Sequence, residues 1–176
     1  MRYIPSLMNK FKILLRIIDL INLWAGRLTA LLMIPMIFII MWEVIARYGF
    51  NSPTDWAFET SLFIFGGFVV LGGGYTLYTN GHVNMDVFFS RLSPRKRAII
   101  DTVTSVFFFL FIFILLRESW DIAWDSFVSR EHTWTDWGPP YYPIRMALPV
   151  GAFLLLLQGI SKFIRDLAMV ITGRPL

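Results

Sequence analysis

From Thr60 to Met85 the chain carries no Lys, Arg, Asp or Glu, and the stretch is framed by Glu59 at one end and by His82 and Asp86 at the other. About 20 apolar residues in a helix cross a hydrocarbon core of ~30 Å, so this segment alone is long enough for one passage through a bilayer. A chain in lipid must satisfy every backbone N–H and C=O internally, which selects a helix here. Its ionisable groups then sit at the ends of the crossing.

The rest of the chain repeats the pattern. Hydrophobic residues make up 56% of 176 residues and the mean hydropathy is +0.61, more than a soluble domain of this size can cover with charge. Four apolar runs are legible, at about 20–43, 59–79, 98–118 and 143–162. Each suffices for one crossing and the links are short, which predicts an all-α membrane protein, a single four-helix transmembrane domain covering 1–176. Pro35 lies inside the first run and is expected to kink it. The cationic N-terminal region leads into a full-length span with no small-residue cleavage site, so no signal peptide is expected. With zero cysteines, thiolate metal sites, Cys nucleophiles and disulfides are excluded.

Cation placement predicts the orientation. Arg2, Lys10, Lys12, Arg16 and Arg27 precede or open the first run, Arg91, Arg95, Lys96 and Arg97 lie between the second and third, and Lys162, Arg165 and Arg174 follow the fourth. These twelve fall on one side, against Arg47, Arg117, Arg130 and Arg145 on the other. Positive charge is retained in the cytoplasm, so both termini are expected there. The cations are split among three membrane-flanking segments instead of forming one stripe, which argues against nucleic acid as a partner.

Before the first span, Ile4, Leu7, Met8, Phe11, Leu14, Leu15 and Ile18 recur at helical spacing, with Lys10, Lys12 and Arg16 elsewhere on the wheel. This predicts an amphipathic helix lying in the interface, its cations toward lipid headgroups; a cytoplasmic extension of a tilted first helix is the alternative.

The polar positions read mostly as structure. Glu43 and Arg47, four apart with the acid first, are spaced for a helical ion pair. Glu59 is expected to neutralise Arg47 across the Tyr48 to Asp55 turn, or to meet a partner's cation. Gly66 and Gly73, and likewise Gly67 and Gly74, are seven apart and return to one helical face, where small residues let another helix approach, whether internal or from a partner. His82 and Asp86 are four apart near the Asn80-Gly81 turn and are expected to cap a link helix. The other histidine, His132, falls on the opposite side by this topology, so neither a metal site nor a bis-histidine haem is expected, and no cofactor is called for.

The link between the third and fourth runs is acidic and aromatic. Trp120, Trp124, Trp134, Trp137, Tyr141 and Tyr142 suit an interfacial belt. Asp121, Asp125, Glu131 and Asp136, beside the stiff Gly138-Pro139-Pro140 stretch, also offer a surface on which an external protein can dock. Four spans without a catalytic constellation point to binding or scaffolding, not to an enzyme.

The series Arg47-Tyr48, Trp56, Glu59, a Gly-rich helix, His82-Val83 and Asp86, followed by Leu148-Pro149-Val150-Gly151 and Leu157-Gln158-Gly159, resembles the small membrane subunit of tripartite ATP-independent periplasmic (TRAP) transporters. The resemblance runs from about Trp42 to Arg165. Two positions depart from it: Phe58-Glu59 stands where relatives often carry two adjacent acids, and Asn84 where some carry a basic residue. The resemblance implies a bacterial inner-membrane protein that pairs with a large permease subunit and works with a periplasmic substrate-binding protein. It further implies sodium-driven uptake of organic acids in which the large subunit holds the transport sites and the small one is a fixed scaffold. Two other classes stay open, an autonomous small exporter and an anchor subunit of a respiratory enzyme. The first needs a membrane-embedded acid, and Glu43 and Glu59 lie too near the boundary; the second needs haem or quinone ligands, which the two histidines do not supply.

Overall fold

The computed structural model describes residues 4–79, 81 and 92–173, with side chains from residue 12 onward. Its helices are α1 (Ile4–Ala30), α2 (Met33–Val44) followed by a π-helical turn (Ile45–Gly49), α3 (Asp55–Tyr78), α4 (Pro94–Ser129) and α5 (Tyr142–Thr172). Four stretches are long and apolar enough to cross a membrane: Lys12–Gly49, Asp55–Tyr78, Pro94–Ser129 and Tyr142–Thr172. Each outruns the span read from hydropathy, because the helices continue past the apolar core into their charged ends.

The first crossing is divided, and Pro35 explains where. Proline has no N–H to give to the carbonyl four residues back and its ring crowds that carbonyl. Leu31 O therefore accepts instead from Ile34 N at 3.2 Å, while Leu31 N and Leu32 N reach back only three residues, to Leu28 O and Thr29 O. The tightened turn at Leu31–Leu32 separates α1 from α2. No such break falls between Ile4 and Ala30. The N-terminal segment read as an interfacial helix continues into the first crossing as one helix from Ile4 to Ala30.

The helices form a row more than a closed ring. α1 and α2 lie against α3, α3 against α5, and α5 against α4, with α1 also reaching α5 near the termini. α5 is thus the central element, and small residues bring its neighbours close. Gly151, Ala152, Gly159 and Ser161 are buried on it. A Cβ at Gly151 would overlap the Val70 backbone of α3, and one at Gly159 would overlap the Phe108 ring of α4. Lipid tails are as apolar as the side chains, so in the membrane such close approach, and not apolar burial, supplies the attraction between helices. Edge-on aromatic contacts complete the α4–α5 seam, with Phe109 and Phe163 5.6 Å apart.

Candidate functional site

The polar side chains gather at the two ends of the row. At the end that holds both termini, Asp19 of α1 receives Arg165 of α5 through two hydrogen bonds of 2.6 and 3.2 Å. Gln158 Nε2 donates to the same carboxylate at 3.0 Å, and Asn22 Nδ2 donates to Gln158 Oε1 at 3.0 Å and to Ile18 O at 3.1 Å. Asn22, Gln158 and Ser161 are fully buried, 0%, 2% and 0% exposed, so these amides need partners inside the protein. Beside this group Lys162 donates to Asp101 of α4 at 2.6 Å and to Asp166, one turn along α5, at 2.8 Å. The layer thus joins α1, α4 and α5. Spacing along the chain singles out none of the pairs between helices, which lie 61 to 146 positions apart. The usable signal is the presence of amides, Asn22 and Gln158, inside apolar runs, where an unpaired polar group is costly.

The opposite end is held through its turns and connecting loops. Arg47 Nε donates to Glu43 Oε1 at 2.9 Å within one helical turn. The other oxygen of Glu43 accepts the backbone N–H of Thr54 at 3.1 Å and its hydroxyl, which fixes the residue before α3. Glu59 has no cation partner among the described residues, and Arg47 is taken by Glu43. Glu59 is 9% exposed and accepts the Thr135 hydroxyl at 2.8 Å and the Thr133 hydroxyl at 3.5 Å. The expectation that Glu59 neutralises Arg47 is therefore corrected. The i,i+4 spacing satisfies Arg47 within its own helix, and the hairpin folding over Glu59 brings hydroxyls to it.

That hairpin, residues 130–141, is held by Tyr141 N donating to Glu131 O at 2.8 Å and Thr133 N donating to Pro139 O at 2.9 Å. Gly138 at φ +57° makes its turn, a backbone conformation that favours glycine. Glu131 forms an ion pair with Arg145, so it is engaged within the protein, whereas Asp121, Asp125 and Asp136 are exposed. Trp134 at the tip is 98% exposed. His132 Nδ1 lies 2.7 Å from Arg130 O.

The two glycine pairs of α3 are not equivalent. Gly67 and Gly74 are buried; a Cβ at Gly74 would overlap Asn22 Oδ1 and lie 3.2 Å from the Leu154 backbone. Gly66 lies beside Ile144, and Gly73 faces open space. Gly26, singled out by no spacing, is as tight as Gly74, against the Tyr75 ring. Lys12 and Arg16 are exposed. The side chain of Lys10 and all of His82 and Asp86 lie outside the described residues, so the capping reading of the last two stands as an expectation. No cluster of three or more metal-ligating side chains occurs among the described residues.

Comparison with known proteins fits this arrangement. The family described as tripartite ATP-independent periplasmic transporters, DctQ component, matches residues 36–169. Similar proteins include the C4-dicarboxylate TRAP transporter small permease protein DctQ of Vibrio cholerae, 27% identical over 156 residues, covering 75% of this chain and 64% of that protein. Another is a putative TRAP transporter small permease protein of Haemophilus influenzae, 28% identical over 85 residues, covering 48% of this chain and 53% of that one. The chain thus spans about half to two thirds of the length of these relatives. Four stretches able to cross a membrane, polar layers at the two ends of the described row, and a family match over most of the length lead to one assignment: this multi-pass chain of the inner membrane belongs to the DctQ component family of TRAP transporters.

Proposed function

We propose that this chain is the fixed scaffold subunit of a TRAP-type uptake system, supporting a large permease that carries an organic acid with sodium and receives it from a periplasmic binding protein. The observation that carries the reading is where the acids lie. Among the described residues no acid falls in the middle of a crossing. At the terminal end, Asp19 and Asp101 are already bonded to Arg165 and Lys162. Ion-coupled sites use free carboxylates or broken helices near the midplane, and a scaffold needs neither. The break at Leu31–Leu32 is no substitute, because Leu31 O accepts Ile34 N within the turn.

In this reading the termini are cytoplasmic and the 130–141 hairpin faces the periplasm, where exposed Asp121, Asp125 and Asp136 offer a surface to the binding protein. Lys12 and Arg16 face anionic headgroups. Gly73, with open space before it, is the α3 glycine available to the large permease, while Gly74 is used within the chain.

The test is a sodium titration of uptake by complexes carrying Glu43→Gln or Glu59→Gln. Complex recovery falls if these acids act structurally, and surviving uptake keeps the wild-type sodium dependence. Normal recovery with a shifted sodium response would overturn the scaffold role. Labelling of single cysteines at positions 95 and 134 tests the orientation, with only the second expected to react in intact cells.

A further inference from the structure

A lateral groove of about 520 Å³ opens between α4 and α5 at the hairpin end. That size falls within the ~300–1,000 Å³ of small-molecule sites. On α4 its lining is a single stripe, Phe113, Leu116, Arg117, Trp120 and Asp121, at helical spacing. On α5 it is Val150 and Phe153, three apart, beside Pro149. On its other flank α5 is drawn against the Val70 backbone of α3 at Gly151.

The chemistry of the groove changes along its length. Phe113, Leu116, Val150 and Phe153 are purely apolar, and both ionisable groups are at one end. Arg117 is sixteen residues beyond Asp101, a rise of ~24 Å along the helix. Asp101 marks the ionic layer at the other end, so the Arg117 backbone lies ~6 Å short of the far side of a ~30 Å core, a gap its long side chain spans to reach headgroup depth. Arg117 and Asp121 are exposed and four apart, yet neither is bonded to the other or to another side chain among the described residues. Trp120 between them is a residue type that favours the lipid interface.

We propose that this groove binds one molecule of a zwitterionic aminophospholipid, its phosphate on Arg117, its ammonium on Asp121 and one acyl chain along Phe113, Leu116, Val150 and Phe153. A guanidinium pairs with phosphate through parallel charge-assisted hydrogen bonds, and the carboxylate one turn away matches the opposite charge of the headgroup. A transmembrane helix in the same place would fill the apolar part but leave the dipolar rim without a counterpart. The site shares Asp121 with the surface offered to the binding protein, and its readout is lipid retention.

The test uses the full chain in its assembled complex, extracted in mild detergent, stripped of lipid and titrated with phosphatidylethanolamine or phosphatidylglycerol, with occupancy counted by native mass spectrometry. Wild type is expected to retain phosphatidylethanolamine preferentially. Arg117→Gln should weaken both lipids at least about tenfold, through the loss of its charge-assisted hydrogen bonds to the phosphate. Asp121→Asn should remove the preference and leave phosphatidylglycerol binding intact. Val150→Phe, at a half-exposed position, should fill the groove and lower both. Absence of a preference in wild type, or equal occupancy in wild type and the two headgroup variants, overturns the proposal. So does a Val150→Phe complex that loses the large subunit while its lipid count is unchanged, an outcome that assigns the groove to a partner helix. If Val150→Phe lowers the yield of folded protein, the exposed Asp121→Asn still decides the headgroup assignment.

Discussion

The two ends of the row satisfy their charges in different ways. At the terminal end Asp19, Asp101, Gln158, Lys162 and Arg165 bond across helices far apart in sequence. At the hairpin end Glu43 bonds within its own turn and to the residue that opens α3, and Glu59 accepts hydroxyls from a loop. One end is fastened helix to helix, the other by its connections. The difference implies that the bundle's stability is concentrated at the terminal end, and that the hairpin end can change its loops without loosening the helices.

The most disruptive change should be at Gly74, on the terminal half of α3. Gly74→Leu must displace Asn22 and the Leu154 backbone at once, and overpacking of this kind typically costs ~1–3 kcal/mol or more. Gly73→Leu, facing open space one residue away, should leave the thermal stability of the isolated chain unchanged. Equal effects of the two would erase the distinction between the glycine faces.

Next comes the ion pair between α1 and α5. Asp19→Asn leaves Arg165 without its carboxylate; both side chains are partly exposed, at 18% and 35%, so the expected loss is ~2 kcal/mol, below the value for a fully buried pair. A double-mutant cycle with Arg165→Gln should recover most of this as coupling energy, measured by denaturant titration in detergent. No coupling would show the two charges to be independently solvated.

Glu59→Gln should cost less, ~1 kcal/mol, because an amide oxygen still accepts from Thr135. Its signature should be local: faster proteolysis within 130–141 and altered Trp134 emission, with the helix melting unchanged. Glu43→Gln is expected to be the mildest, since Arg47 is half exposed and Thr54 can still donate to the amide oxygen. Loss of helix stability in either variant comparable to Asp19→Asn would remove the contrast between the ends.

What could be read from the chain follows from how local each cause is. The four crossings depend on hydropathy summed over neighbouring residues, and Glu43 with Arg47 depends on a single helical turn, so both are visible without a fold. The partner of Glu59 depends on how a loop some 75 residues away folds back, and Asp19 finds Arg165 only once α1 and α5 are side by side. The glycine spacing offers two faces of α3 as candidates for close packing, and only the position of Asn22 and Leu154 decides that Gly74 is the tight one. The amphipathic N-terminal pattern gives a helix, while the place where the first crossing divides is set by the bonding around Pro35.

That division has a mechanical consequence. The lower rod of the first crossing is riveted to α5 through Asp19 and the upper rod to the start of α3 through Glu43. An unbroken helix would act as a stiff lever, carrying any tilt imposed at one membrane face to the other. The tightened turn at Leu31–Leu32 interrupts that lever, so each charge contact fastens a separate rod instead of the two ends of one.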